Sequence, residues 1–179
     1  MNEITGGMKM RAIDKFDEFI KINLSDFIEQ QKFVLVRERS YQRDVIIRGY
    51  TSPKLYMSLS WDDGCAGVCF KPLNTADDNE YFGIVSVRNI LTNEPILYRA
   101  LTIDALNTVP YFWHDVGHLQ FLRENIDAIN DLFDAKQFPK VVEELRSREK
   151  LTNKIRYDFI LPYAPPGTPR PRWADPRQQ

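Results

Sequence analysis

The chain has 179 residues, 43% of them hydrophobic and 27% charged, with a net charge of −1. That length suits one domain with a core large enough to stand without staples, and the near-neutral balance argues against general nucleic-acid affinity. With two cysteines, no apolar secretory segment at the N-terminus and no apolar run near the ~20 residues that span a bilayer, the chain is expected to be cytoplasmic and not a membrane protein.

Residues 1–9 read as a flexible leader. Over residues 10–31, Ile13, Phe16, Ile20, Leu24, Phe27 and Ile28 recur at steps of three and four, and this spacing predicts an amphipathic helix. Residues 33–39 and 43–50 are β-rich runs. The turn Thr51, Ser52, Pro53, Lys54 then leads into residues 55–73, LYMSLSWDDGCAGVCFKPL. Asp63-Gly64 between alternating apolar residues signals a type I′ hairpin, because both central positions need positive φ.

A two-residue loop pairs Asp62 with Cys65, Trp61 with Ala66, Leu59 with Val68 and Met57 with Phe70. This register sorts the side chains by size, since they alternate faces along a strand. Leu55, Met57, Leu59, Trp61, Ala66, Val68 and Phe70 share one face. Ser58, Ser60, Cys65, Gly67 and Cys69 share the other. The small face is expected either to lie closely under a helix or to stand open to a partner.

Residues 74–79 (NTADDN) form a polar loop, and residues 81–87 (YFGIVSV) read as a further strand. Residues 91–107 are ambiguous between strands and a short helix. Tyr111, Phe112 and Trp113 follow Pro110. They read as core plugs or as an exposed patch, Tyr and Trp being favoured interface anchors. Leu119, Leu122, Ile126, Ile129 and Phe133 predict a helix over residues 118–134. Residues 135–139 break it, and Pro139 suits the first turn of a third helix over residues 140–154. Residues 155–161 (IRYDFIL) alternate like a strand. Six of the eleven prolines fall in residues 162–179, an extended Pro/Arg-rich tail. The whole is predicted as one α+β domain over residues 1–161. It comprises an antiparallel meander of about five strands, an N-terminal helix and two C-terminal helices, followed by the tail.

The chemistry-bearing residues form no catalytic signature. Cys65-x3-Cys69 and His114-x3-His118 have the composition of a zinc site. On a strand, however, residues four apart lie about 13 Å from one another, and zinc needs its sulfurs roughly 4 Å apart. No metal and no cofactor is therefore expected. A nucleophile elbow, a P-loop, a G-x-G-x-x-G and an H-E-x-x-H are all absent from the sequence. Charge is uneven: residues 61–115 carry −5, and the segments on either side carry +2 each.

The order of helix, antiparallel meander and C-terminal helices resembles that of small bacterial α+β immunity-type proteins, the partners of polymorphic or contact-dependent toxins. Two phrases carry the resemblance: IEQQKFVLVRER, and HLQFLRENIDAINDLFDAKQFPKVVEELR. It implies a non-enzymatic protein that masks a cationic partner with an acidic surface. Asp62, Asp63, Asp77, Asp78 and Glu80, with Trp113, are the expected partner-binding residues. Opposite-charge fields of this kind steer association and set specificity. Two alternatives stand beside it. One is a small enzyme with a pocket on the Ser58, Ser60, Cys65 and Cys69 face; the other is an assembly subunit that docks through its tail.

Overall fold

A computed structural model of the chain describes residues 11–41, 45–62, 65–73, 80–93 and 116–160. The described elements are α1 (Ala12–Asn23), α2 (Ser25–Gln30), β1 (Val34–Tyr41), β2 (Val45–Thr51), β3 (Tyr56–Asp62), β4 (Cys65–Lys71) and β5 (Phe82–Gly83). They continue as α3 (Ile84–Thr92), α4 (Val116–Glu124), α5 (Ile126–Leu132) and α6 (Phe138–Ile160). The five strands form one antiparallel sheet in the order β1-β2-β3-β4-β5. The fold is α+β, with helices before and after the sheet.

The predicted hairpin register is the observed one: Asp62 pairs with Cys65, Trp61 with Ala66, Leu59 with Val68 and Met57 with Phe70. Its large face is the core. Leu55, Met57 and Phe70 are completely buried, and Leu59, Trp61 and Val68 nearly so. Each such side chain contributes roughly 1.5–3 kcal/mol when fully removed from water. Phe16 and Phe19 of α1 both lie 5.7 Å from the Trp61 ring. Farther along the same face, Phe133 packs on Phe70 and Phe82, and Phe138 on Phe133. These contacts place α1 and the α5–α6 junction on one side of the sheet.

Three elements differ from the sequence expectation. Only Phe82 and Gly83 of residues 81–87 pair in the sheet, and the chain then turns into α3. Ile84, Val87 and Leu91 recur at helical spacing, with the first two buried. Glu149 of α6 secures the start of α3. Its carboxylate accepts the Gly83 backbone N–H at 3.0 Å and the Ser86 hydroxyl at 2.6 Å, while Ser86 also meets Thr152 at 3.0 Å. This satisfies donors that a helix N-terminus otherwise leaves open. The second difference is at residues 155–160, where α6 runs through to Ile160 in place of a strand. No Gly or Pro occurs between Lys140 and Leu161 to stop it. Third, the helices predicted over residues 10–31 and 118–134 are each broken once, at buried Leu24 and at Asn125.

Arg48 ties the layers together. Its guanidinium meets Glu38 of β1 and Asp17 of α1, each at 2.6 Å, and lies 5.1 Å from the Phe16 ring centre. Burial pulls its pKa down, but hydrogen bonds to Glu38 and Asp17 outweigh that and leave it raised.

Candidate functional site

Of the acidic residues expected to face a partner, Asp62 and Glu80 are described. Asp63, Asp77, Asp78 and Trp113 lie outside the described residues, as do His114 and the tail. Asp62 is exposed at the turn end of β3. Glu80 makes a two-point ion pair with Arg146 of α6, at 2.6 and 3.2 Å. Its negative charge is matched within the chain and fastens α6 beside β5. The two residues are also far apart. Asp62 pairs with Cys65, whereas Phe82, two residues after Glu80, pairs with Phe70. That is five residues along β4, or about 16 Å at ~3.3 Å per residue. Asp62 and Glu80 therefore do not share one patch.

The small face of the hairpin carries none of the aromatic packing of α1 and the α5–α6 junction, which lies on the opposite face; at its β5 end, where Gly83 pairs with Cys69, the Glu149 carboxylate of α6 stands 3.5 Å from where a Gly83 Cβ would be. Ser58, Ser60, Gly67 and Cys69 are half-buried on it. Neighbouring side chains lie across its glycines. A Cβ on Gly49 would fall 1.8 Å from the Tyr56 hydroxyl oxygen, and one on Gly67 would fall 2.6 Å from Ser60 Oγ. Lys71 is buried between Tyr56 and Tyr81, with its Nζ 5.1 and 5.2 Å from the two ring centres. A desolvated ammonium over aromatic faces is held by their quadrupoles. Burial, reinforced by Tyr81, raises the Tyr56 pKa. Side chains thus fill much of the face expected to hold a pocket. Among the described residues, no cluster of three or more His, Cys, Asp or Glu side chains could hold a metal ion.

A groove of about 510 Å³ opens elsewhere, where the β2–β3 turn, the end of β4 and the α5–α6 elbow meet. Pro53 and Lys54 form one wall, Pro72 and Leu73 a second, and Asn130, Asp131, Asp134, Ala135 and Pro139 a third. Phe133 and Phe138 complete the lining, with Phe133 almost fully buried.

Local hydrogen bonds set these walls. Ser52 N–H donates to the Leu55 carbonyl at 2.9 Å, and the Ser52 hydroxyl accepts the Leu55 N–H at 3.2 Å. These bonds hold Pro53 and Lys54 in a tight turn. On the opposite wall, Asp134 Oδ1 accepts the Lys136 N–H at 2.9 Å, and its carbonyl accepts the Phe138 N–H at 2.8 Å.

Asn130 is the informative residue of the groove. It is only 7% exposed, and its side-chain Oδ1 is buried without a hydrogen-bond partner. An orphaned buried acceptor costs about 1–3 kcal/mol, so an unpaired oxygen at a groove wall calls for a reason. The carboxylates of Asp131 and Asp134 are exposed beside it, against one cation, Lys54. The groove thus combines an apolar floor with an excess of acceptors. It suits an apolar side chain adjoining a hydrogen-bond donor with positive charge.

These residues escape a reading of the sequence because the walls come from a turn, a strand end and a helical elbow far apart in the chain. The available signal was the break at residues 135–139, bordered by Asp131 and Asp134. Leu73, on the rim, leads directly into residues 74–79, which contain Asp77 and Asp78. No protein-family model, no curated protein and no solved structure matches this chain.

Proposed function

We propose that this chain is a non-enzymatic, cytoplasmic protein-binding protein that holds a basic, extended segment of another protein in the groove between the β2–β3 turn and the α5–α6 elbow. The observation that carries this reading is Asn130, an amide kept buried at a groove wall with its oxygen unpaired. A turn of the Asn130 side chain brings that oxygen to the groove, where a donor from the partner supplies the missing bond. Asp131 and Asp134 favour a cationic donor, and the apolar lining accepts its stem or a neighbouring aliphatic residue. An immunity-type role, in which the partner is a cationic toxin domain, is the biological form of the same proposal.

The test uses short amidated peptides that alternate Leu with Arg, with citrulline or with Glu, titrated into isotope-labelled protein. The arginine peptide is expected to bind and to shift the resonances of Leu73, Asn130 and Ala135. The citrulline peptide binds more weakly and the glutamate peptide weakest. Asn130→Leu separates function from scaffolding. It removes the orphaned acceptor, so stability is expected to rise by up to about 1–3 kcal/mol while peptide affinity falls. Equal binding of all three peptides, or an Asn130→Leu protein that is less stable and binds as well as before, contradicts the proposal.

A further inference from the structure

β1 is the outermost strand of the sheet, and no described strand lies beyond it. All eight of its residues are exposed. Val34, Leu35, Val36 and Tyr41 stand 48–61% in water, a concentration of large apolar side chains found on no other described strand. Exposed edges of this kind offer a row of backbone donors and acceptors to another extended chain.

The side chains say what that chain must carry. Pairing with β2 puts Val34, Arg37, Arg39 and Tyr41 opposite Thr51, Gly49, Ile47 and Val45 on one face. Leu35, Glu38 and Ser40 lie opposite Tyr50, Arg48 and Ile46 on the other. Glu38 is already engaged by Arg48 at 2.6 Å. Arg37 and Arg39, both exposed, make no ion pair with any described residue. The unmatched charge on the edge is therefore two arginines at alternate positions on a single face.

A second copy of β1 is the wrong occupant. A symmetric antiparallel pair places one residue opposite itself. Centring on Arg37 or Arg39 sets arginine against arginine. Centring on Glu38 sets glutamate against glutamate and Arg37 against Arg39. Like charges directly opposed destabilise a pair of strands. Centring on Ser40 sets Arg39 against Tyr41 and overlaps the two copies only at the end of β1, so that Val34, Leu35 and Val36 find no partner in the other copy's β1. The irregularity between Leu35 and Arg37 interrupts the ladder on the other side.

We propose that β1 is a docking edge for an extended acidic segment of another protein, which adds a sixth strand and sets two carboxylates, two residues apart, against Arg37 and Arg39. This surface is independent of the groove and of the basic segment assigned to it. Main-chain bonds supply affinity, and the carboxylates select the partner and its register.

The test uses fluorescein-labelled hexapeptides TEVEVT and TKVKVT with the full chain. Anisotropy should show TEVEVT binding at least ~10-fold more tightly than TKVKVT. The double variant Arg37→Glu/Arg39→Glu should reverse the preference, and Arg37→Gln/Arg39→Gln should abolish it. Methylating the peptide amides that face β1 should eliminate binding, whereas methylating the alternate set should not. Bound TEVEVT should slow hydrogen exchange in residues 34–41. Equal affinity for the two peptides, an unchanged preference in both double variants, or self-association through β1 in the absence of peptide overturns the proposal.

Discussion

β1 and β3 are strands of similar length with opposite fates. VLVRERSY opens on three consecutive apolar residues and continues with three charges, whereas YMSLSWD alternates large apolar with small polar residues. β3 buries Met57, Leu59 and Trp61, while β1 buries nothing. The difference lies in position. β3 has neighbours on both edges and α1 over one face; among the described strands β1 has β2 alone, and Arg48 joins its Glu38 to α1 through Asp17. Apolar residues at the centre of a sheet stabilise the fold, whereas the same residues at its edge are available to a partner.

Mutations should separate the two strands by size of effect. Trp61→Ala, at the point where Phe16 and Phe19 converge, should lose about 3–5 kcal/mol in chemical denaturation. A loss under 1 kcal/mol would mean that β3 is not the foundation described. Gly49→Ala, one strand nearer the edge, forces its new methyl against the Tyr56 hydroxyl. It should cost about 1–3 kcal/mol, and Gly49→Ala/Tyr56→Ala should recover part of that loss in a double-mutant cycle. Val36→Ser on β1 should change stability by no more than about 0.5 kcal/mol. A larger loss would show that β1 is structural after all.

The smallest effect is electrostatic and lies at the α2–α4 contact. Asp26 has its pKa lowered to about 2, first by the Arg123 hydrogen bond and then by the Phe27 backbone. A lowered folded-state pKa gives a contribution that is complete above the ordinary aspartate range and disappears as pH falls through about 2. Carboxyl NMR titration should place the Asp26 midpoint near that value, and Arg123→Gln should return it toward the ordinary aspartate value.

The hairpin was legible because Asp63-Gly64 and strict alternation together permit one register that sorts large from small. The helices were legible wherever apolar residues recurred at helical spacing over several turns. α3 was not, because Ile84, Val85 and Val87 are β-branched and follow directly on a true strand. The end of α6 was not, because IRYDFIL alternates by chance within a helix that nothing interrupts. The groove was the least accessible to sequence. Pro53, Leu73 and Asn130 come from a turn, a strand end and a helix far apart in the chain, and an orphaned amide oxygen has no sequence signature. The acidic residues were visible, but not the fact that Glu80 spends its charge on Arg146, nor that Asp62 lies at the other end of the hairpin.

The contrast between the two strands is tested most directly by residue-resolved hydrogen exchange on β1 and β3, with and without the TEVEVT peptide. In the free chain, the β3 amides should exchange only through global unfolding, while the outward-facing β1 amides exchange far faster through direct exposure to water. The peptide should slow β1 and leave β3 unchanged. Equal protection of the two strands in the free chain would contradict the account, because it would mean that the β1 edge is already covered.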